Sequence, residues 1–123
     1  MEFDPLSNRV IGCAIEVHRT LGPGLLESAY RQCLAHELSL AGIRFTMEVP
    51  LPVRYKETLL DCGYRIDLLI ESDLIVELKA VETLLPIHQA QLLSYMRLAK
   101  VRVGLLINFN VLKLTNGLKR LVL

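Results

Sequence analysis

Two aliphatic runs around a short polar turn place the strongest constraint on the fold of this chain. Residues 66–70 and 74–78 flank the segment 71–73, and a turn centred on Ser72 pairs residues that lie equally far from it. A slip of one residue would move polar side chains onto an otherwise apolar face, so the sequence predicts an antiparallel hairpin in this register. The facing pairs on the apolar side are Ile70–Leu74, Leu68–Val76 and Ile66–Leu78.

The other face of this hairpin carries charge. In the same register Asp67 lies directly opposite Glu77, and Lys79 follows two residues later on the same face. Facing carboxylates destabilise a sheet unless a cation, a shared proton or a basic partner neutralises them. Arg65 and Lys79 could do so in a salt-bridge ladder, and a divalent metal such as Mg²⁺ or Mn²⁺ could do so more fully. The spacing leaves both interpretations open.

A metal between the two carboxylates would also give this face a chemical function. Phosphodiester hydrolysis needs a hard cation that screens the phosphate and activates water. Lys79 beside such a cation could orient the attacking water or stabilise developing charge. The residues therefore suggest a metal-dependent nuclease acting on DNA or RNA, with Asp67 and Glu77 as metal ligands and Lys79 assisting the attack.

Periodicity along the rest of the chain predicts a mixed α and β architecture. Helical spacing marks three segments and strand patterns mark six, in the order ααβββαβββ. The Asn116-Gly117 pair is typical of a two-residue hairpin turn. We expect an α/β (α+β) fold with a mixed sheet flanked by helices. The first predicted helix begins at residue 5 or 7, the second at residue 25 and the third at residue 86, and they end near residues 21, 41 and 100. The predicted strands cover residues 43–53, 59–70, 74–80, 101–107, 112–114 and 118–123.

Length and composition fit a single folded domain over residues 1–123. The hydrophobic fraction of 52% excludes a disordered chain, and no apolar run approaches the roughly 18–20 residues that span a bilayer. The acidic start lacks the basic and apolar segments of a signal peptide. Three cysteines without a CxxC pair are typical of reduced thiols. We expect a cytoplasmic protein without membrane association.

Two motifs in the sequence resemble a known nuclease group. Asp67, nine intervening residues and then Glu77-Leu78-Lys79 are similar to the core motif of the PD-(D/E)XK nuclease superfamily, although Ile66 stands in place of the proline. The segment from Gly24 through Glu27 to Tyr30 is similar to the name-giving pattern of the GxxExxY family, which is placed in that superfamily. The resemblance extends over nearly the whole chain and implies a restriction-endonuclease-like core that binds Mg²⁺ or Mn²⁺.

The resemblance also implies roles for residues outside the hairpin. Glu27 matches an upstream acid that joins metal binding in many superfamily members, although a first-turn glutamate also interacts favourably with a helix dipole. Gln91 and Tyr95 lie four residues apart on one helix face and resemble a QxxxY motif that supports the active site in related exonucleases. A polar stripe on a helix surface is the alternative. The implied catalytic set is Asp67, Glu77, Lys79, Glu27, Gln91 and Tyr95.

Charge is distributed unevenly along the chain. Residues 1–82 contain all 13 acids, whereas residues 83–123 contain six bases and no acid. A basic segment of this kind could contact the phosphates of a nucleic acid. The net charge of only +1 is low for such a protein, and we see neither a recognition helix nor an aromatic stacking platform. The predicted nucleic-acid-binding residues are Lys100, Arg102, Lys113, Lys119 and Arg120.

Two other functions and one association state are compatible with the sequence. A binding or assembly module could keep the nuclease fold without catalysis, and a hydrolase acting on a small phosphoester could use the same groups. The high hydrophobic fraction and an apolar last strand, which would otherwise be an exposed edge, predict a homodimer or a subunit of a larger assembly.

Overall fold

The computed structural model of the protein describes residues 3–123. Over this part of the chain the elements follow the order ααβββββαββ, with a short 3-10 turn between the last two strands. The helices are α1 (Pro5–Leu21), α2 (Glu27–Leu40) and α3 (Pro86–Ala99). The strands are β1 (Phe45–Pro50), β2 (Val53–Tyr55), β3 (Thr58–Leu60), β4 (Arg65–Ile70), β5 (Leu74–Lys79), β6 (Val103–Asn108) and β7 (Leu118–Val122), and the 3-10 turn is Leu114–Gly117.

Local chemistry sets both ends of the first helix. The Asp4 carboxylate accepts a hydrogen bond from the Ser7 backbone N–H at 2.9 Å, and Pro5 occupies the first helical position, where its missing N–H costs nothing. Gly22 ends the helix with φ +70°, a conformation that side chains disfavour. Of the two predicted starting points, the structure uses Asp4-Pro5.

The main sheet is mixed, as predicted. Its five strands lie in the order β1-β4-β5-β6-β7, with β5 and β6 parallel and every other neighbouring pair antiparallel. Helix α3 makes the crossover that a parallel pair requires. Strands β2 and β3 form a separate two-stranded ribbon.

Two hydrophobic clusters lie on opposite faces of this sheet. Leu74, Val76 and Leu78 of β5 pack with α1 and α2, whereas Ile75 packs with α3. The alternation follows from the two-residue period of a strand. Helices therefore cover both faces, and the central strands β5 and β6 are almost fully buried.

The predicted register of the hairpin is confirmed in its turn half and fails in its open half. Leu68 pairs with Val76 and Ile70 with Leu74. Ile66 does not continue this face, because it packs in the α3 cluster while Leu68 packs in the α1–α2 cluster. The β4 strand thus changes face at Asp67, and the expected Ile66–Leu78 contact is wrong.

The terminal hairpin predicted around Asn116-Gly117 is also wrong. Residues 112–114 form no strand, and β7 pairs with β6 instead. Gly117 is required for a different reason: a Cβ at this position would overlap the carbonyl oxygen of Asn108. The glycine allows the 3-10 turn to pack closely against the end of β6.

Two of the predicted strands are each divided into two shorter strands in the structure. The expected strand 43–53 is divided into β1 and β2, and the expected strand 59–70 is divided into β3 and β4. Pro50 and Pro52 cannot donate ladder hydrogen bonds, which explains the first interruption. Within residues 3–123, none of the helices combines the length and apolar character needed to cross a bilayer.

Candidate active site

The two hairpin carboxylates lie where β4 and β5 separate. The last ladder pair is Leu68–Val76. One residue further, Glu77 Oε1 accepts a hydrogen bond from the Asp67 backbone N–H at 2.9 Å, and Asp67 Oδ2 accepts one from the Leu78 N–H at 2.9 Å. The carboxylates therefore replace the backbone acceptors of the ladder, and this exchange holds the two acids next to each other at the fork.

Burial makes this pair electrostatically costly. Glu77 is only 5% exposed. Desolvation, followed by the neighbouring charge of Asp67, raises the pKa of Glu77 to about 8. The Glu77 carboxyl is thus held largely in its neutral form at pH 7 unless a further cation approaches the fork.

The Gly24–Tyr30 segment places a third acid near the fork. The Tyr30 hydroxyl donates to the Gly22 carbonyl at 2.6 Å and accepts from the Leu25 N–H at 3.1 Å, so it clamps the loop that precedes α2. The Tyr30 ring stacks on Phe109 with centroids 4.5 Å apart. This clamp holds the loop immediately before α2, the helix that begins with Glu27.

Glu27 is the first residue of α2 and is half-buried. Burial and the charge of Asp67 raise its pKa, while Lys79 and Arg31 lower it. These influences place Glu27 within electrostatic reach of the fork. Among the described residues, however, no three acidic, histidine or cysteine side chains converge closely enough to form a ready three-ligand metal centre. Glu27 as a metal ligand remains a prediction.

Helix α3 holds the lysine beside the fork. Lys79 Nζ donates to Gln91 Oε1 at 3.2 Å, and Gln91 Nε2 donates to the Tyr95 hydroxyl at 3.2 Å. Burial and then the charge of Glu77 raise the pKa of Tyr95, so this hydroxyl stays protonated. The structure therefore joins Lys79, Gln91 and Tyr95 into one hydrogen-bonded chain that fixes the lysine head.

Sequence reasoning missed Arg31. Its Nη1 lies 3.3 Å from Asp67 Oδ1 and its Nη2 lies 3.3 Å from Glu48 Oε1, and its Nε is buried without a hydrogen-bond partner among residues 3–123. Arg31 thus supplies a built-in cation on one side of Asp67. A signal was available, because Arg31 lies four residues after Glu27 on the same face of α2.

Asn108 is a second residue that was missed. It ends β6 opposite Lys79 and is 2% exposed. Its side chain accepts from the Val81 N–H at 3.1 Å and donates to the Val81 carbonyl at 2.9 Å, while the Phe109 N–H donates to the Lys79 carbonyl at 3.0 Å. These bonds fix the backbone around Lys79. A polar residue at the end of an apolar strand was the signal.

The predicted basic surface is only partly free. Lys100, Arg102, Lys113 and Lys119 are exposed. Arg120 instead pairs with Asp4 at 2.8 Å and lies over the Phe3 ring at 5.1 Å, so a contact with the start of the chain engages it. Among residues 3–123, none of these five basic side chains forms an ion pair with Asp67, Glu77 or Glu27.

Comparison with protein families decides the classification. The family model of the PD-(D/E)XK nuclease superfamily matches residues 4–121. The chain belongs to this superfamily. The five-stranded mixed sheet between helices is accordingly a restriction-endonuclease-like fold, and the superfamily assignment supports a nuclease-like function. No curated protein and no solved structure matches the chain.

PD-(D/E)XK nucleases typically depend on a divalent metal, and the donor set at this fork fits one. Asp67 and Glu77 present the hard oxygen ligands that Mg²⁺ and Mn²⁺ prefer. Glu77 Oε1 is engaged by a backbone amide, but Oε2 accepts no hydrogen bond from residues 3–123. Burial, followed by the neighbouring charge of Asp67, raises the pKa of Glu77, and a bound cation would offset both effects. Among residues 3–123, Arg31 is the basic side chain that forms an ion pair with Asp67, and it would compete with a metal for this carboxylate.

Proposed function

We propose that this protein is a divalent-metal-dependent nuclease that hydrolyses phosphodiester bonds in DNA or RNA. One observation carries the proposal: Asp67 and Glu77 lie next to each other at the β4–β5 fork, and Lys79 is held beside them by Gln91. Paired hard ligands with an adjacent oriented ammonium group match the requirements of phosphodiester hydrolysis.

Asp67 and Glu77 would hold one Mg²⁺ or Mn²⁺, with Glu27 as an additional ligand. When bound, the metal would screen the phosphate and make a water molecule more acidic. The protein contributes rigidity, since each of the two carboxylates already accepts a backbone hydrogen bond from the opposite strand. Ligands fixed in this way lose little conformational freedom on binding.

Lys79 would act on the attacking water and on the phosphate. An ammonium group has three donors, and only one of them is directed to Gln91. The other two can donate to the water oxygen or to a non-bridging phosphate oxygen. Gln91 acts through Lys79, and Tyr95 acts through Gln91, so both are positioning residues. Their hydrogen bonds keep the ammonium from turning away from the fork.

A cleavage assay tests this proposal. Wild-type protein in millimolar Mn²⁺ or Mg²⁺ is incubated with single-stranded DNA, duplex DNA and RNA, with EDTA as the metal-free control. We expect Lys79→Gln to lower the cleavage rate by about 100-fold or more, whereas Lys56→Gln, at an exposed turn, should cleave like wild type. Equal rates for Lys79→Gln and wild type, or cleavage by neither on any substrate, would contradict the proposal.

A non-catalytic binding or assembly module is the second candidate, and Arg31 is the observation that favours it. Its guanidinium already neutralises Asp67 from inside the protein. If Arg31 suffices, the fork is a structural ion pair that needs no metal. The cleavage assay separates the two functions, because such a module would bind a partner without metal-dependent turnover.

The free basic side chains support a nucleic-acid partner. We propose that Lys100, Arg102, Lys113 and Lys119 contact phosphates, with Arg120 contributing less because Asp4 already pairs with it. Released counterions should make the affinity fall steeply with salt. Neutralising Lys113 and Lys119 together should reduce the slope of log Kd against log salt concentration by about 2, since each phosphate contact contributes about 1.

We also propose finer assignments of family, assembly and location. The Gly24–Tyr30 clamp supports membership of the GxxExxY family. The β7 strand is a sheet edge, which supports a homodimer or a larger assembly through that edge; light scattering that returned the 13.9 kDa monomer mass would contradict it. Three free cysteines support a reducing, cytoplasmic location.

A further inference from the structure

A groove of about 420 Å³ lies next to the hydrogen-bonded series of Lys79, Gln91 and Tyr95. Gln91 and Tyr95 belong to the series and also line the groove. The volume lies within the range of roughly 300–1,000 Å³ that small-ligand pockets occupy. Val53, Tyr64, Ile87 and Leu98 supply most of the remaining wall.

The wall of this groove suits a flat, uncharged ring. The Tyr64 ring stands edge-on to Tyr95, with centroids 5.8 Å apart and planes at 61°, and Tyr64 is 44% exposed. Ile87 is 67% exposed beside it. None of the described residues that line the groove is acidic. An aromatic face and apolar side chains can stack a ring without charge repulsion.

The groove also offers polar groups for the edge of such a ring. His88 Nδ1 accepts a hydrogen bond from the Leu85 N–H at 2.9 Å. In the neutral imidazole the ring proton is then on Nε2, which is a donor. Ser94 adds a hydroxyl, while the Gln91 amide is already engaged by Lys79 and Tyr95. Convergent donors and acceptors around an apolar wall are the usual basis of orientation in a small-molecule site.

We infer that this groove binds an unpaired nucleobase next to the phosphodiester that lies at the fork. The inference rests on the proposed function and specifies its substrate class. A nucleotide joins an anionic phosphate to a planar ring, and the shared residues Gln91 and Tyr95 connect the lysine beside the fork to a largely apolar groove. A base stacked within a duplex cannot present its face to Tyr64. The preferred substrate is therefore single-stranded.

Sequence reasoning found no aromatic stacking platform because its parts are far apart in the chain. Tyr64 lies in the loop before β4, whereas Tyr95 and Ile87 lie on α3. Folding brings them together across the groove. This stacking surface is distinct from the basic side chains of the final third, which would contact phosphates without reading bases.

Fluorescence anisotropy in EDTA tests the inference without requiring cleavage. The probe is a labelled single-stranded DNA of about 12 nucleotides, within the size range of single-strand sites, compared with a duplex of the same sequence. We expect wild type to bind the single strand at least about tenfold more tightly. Tyr64→Leu should weaken single-strand binding by about tenfold and leave duplex binding unchanged, while Tyr64→Phe should bind like wild type, since the ring remains.

A second variant keeps the test independent of Tyr64. Ile87→Glu places a carboxylate at the groove and should weaken single-strand binding, whereas Leu112→Glu, at a 94% exposed position outside the groove, is the matched control. Equal affinity of wild type for single strand and duplex, or wild-type binding by both Tyr64→Leu and Ile87→Glu, would overturn the inference. Cleavage restricted to duplex DNA would support the nuclease proposal and contradict nucleobase binding in the groove. Single-strand binding without cleavage would support nucleobase binding and contradict the nuclease proposal.

Discussion

The two halves of the β4–β5 hairpin are built for different purposes. In the turn half, Leu68–Val76 and Ile70–Leu74 pair in a regular antiparallel ladder with aliphatic side chains packed beneath α1 and α2. In the open half the ladder stops, and Glu77 uses its side chain to accept the hydrogen bond of a backbone amide on the opposite strand.

This difference shows where the fold accepts an electrostatic cost. The turn half gains free energy from burying apolar area. The open half places buried carboxylates together, which costs free energy unless a cation is near. Functional sites typically contain such locally destabilising arrangements, which the rest of the fold stabilises. Mutations in the turn half should therefore lower the stability of the protein. Mutations in the open half should instead change how stability depends on pH and on metal.

The largest stability effect is expected in the turn half. Ile70→Ala removes a fully buried side chain and leaves a cavity, so the free energy of unfolding should fall by about 2–5 kcal/mol. Urea denaturation measures it, with Leu112→Ala at an exposed position changing stability by less than about 0.5 kcal/mol. If Ile70→Ala and Leu112→Ala lowered the free energy of unfolding by similar amounts, burial in the turn half would not be the source of stability.

The next effect concerns Glu77 and pH. Because the folded-state pKa is raised from 4.5 to about 8, the protonated carboxyl favours folding below about pH 4.5, and this contribution is lost as pH rises to about 8. Wild-type stability in EDTA should therefore fall between pH 5 and 8. Glu77→Gln mimics the neutral form and should be more stable than wild type at pH 8 by roughly 1–3 kcal/mol.

The pH experiment has a clean control. Glu57→Gln alters an exposed carboxylate and should follow the wild-type profile. Asp4, whose pKa is lowered to about 2, loses its contribution only at pH values below its ordinary 3.8, outside this window. If the stability difference between Glu77→Gln and wild type stays constant from pH 5 to 8, Glu77 does not titrate in this range.

A smaller effect is expected at Arg31. Arg31→Met keeps the length of the side chain but removes the cation beside Asp67, so stability in EDTA should fall by about 1–2 kcal/mol. The stabilisation gained from Mn²⁺ should increase at the same time, since metal and guanidinium neutralise the same acid. Thermal melts with EDTA and with Mn²⁺ measure both quantities. An unchanged response to Mn²⁺ would show that Arg31 and metal do not compete.

The smallest stability effect is expected at Gln91. Gln91→Met removes the hydrogen bonds to Lys79 and Tyr95 but fills similar space, and stability should change by less than about 1 kcal/mol. The cleavage rate kcat should nevertheless fall by about tenfold with little change in KM, because the lysine is no longer oriented. A change in KM alone would assign Gln91 to substrate binding rather than to positioning.

The sequence predicted the fold class, the mixed sheet and the register of the turn half, because period-two patterns and a short turn determine them locally. It did not predict the change of face at Asp67. That change depends on side chains replacing ladder hydrogen bonds, which leaves no mark in hydrophobic periodicity. The Asn116-Gly117 turn was misassigned for a related reason, since close packing against Asn108 and not hairpin geometry requires the glycine.

The candidate site was predicted in part. Asp67, Glu77, Lys79, Gln91 and Tyr95 were selected from spacing and resemblance, and the structure places them in contact as a pair and a hydrogen-bonded chain. The tertiary contacts of Arg31, Asn108 and Tyr64 could not be predicted, because their partners lie on other elements. Only the folded chain shows which charge neutralises Asp67.

The central claim is that Asp67 and Glu77 together hold a divalent metal. Thermal melts at pH 7.5 in EDTA and in millimolar Mn²⁺ test it for wild type, Glu77→Gln and the control Glu57→Gln. A ligand that binds only the folded state raises its stability, so wild type and Glu57→Gln should melt about 3–6 °C higher with Mn²⁺, and Glu77→Gln should not shift. No shift in wild type, or an equal shift in Glu77→Gln, would contradict the account.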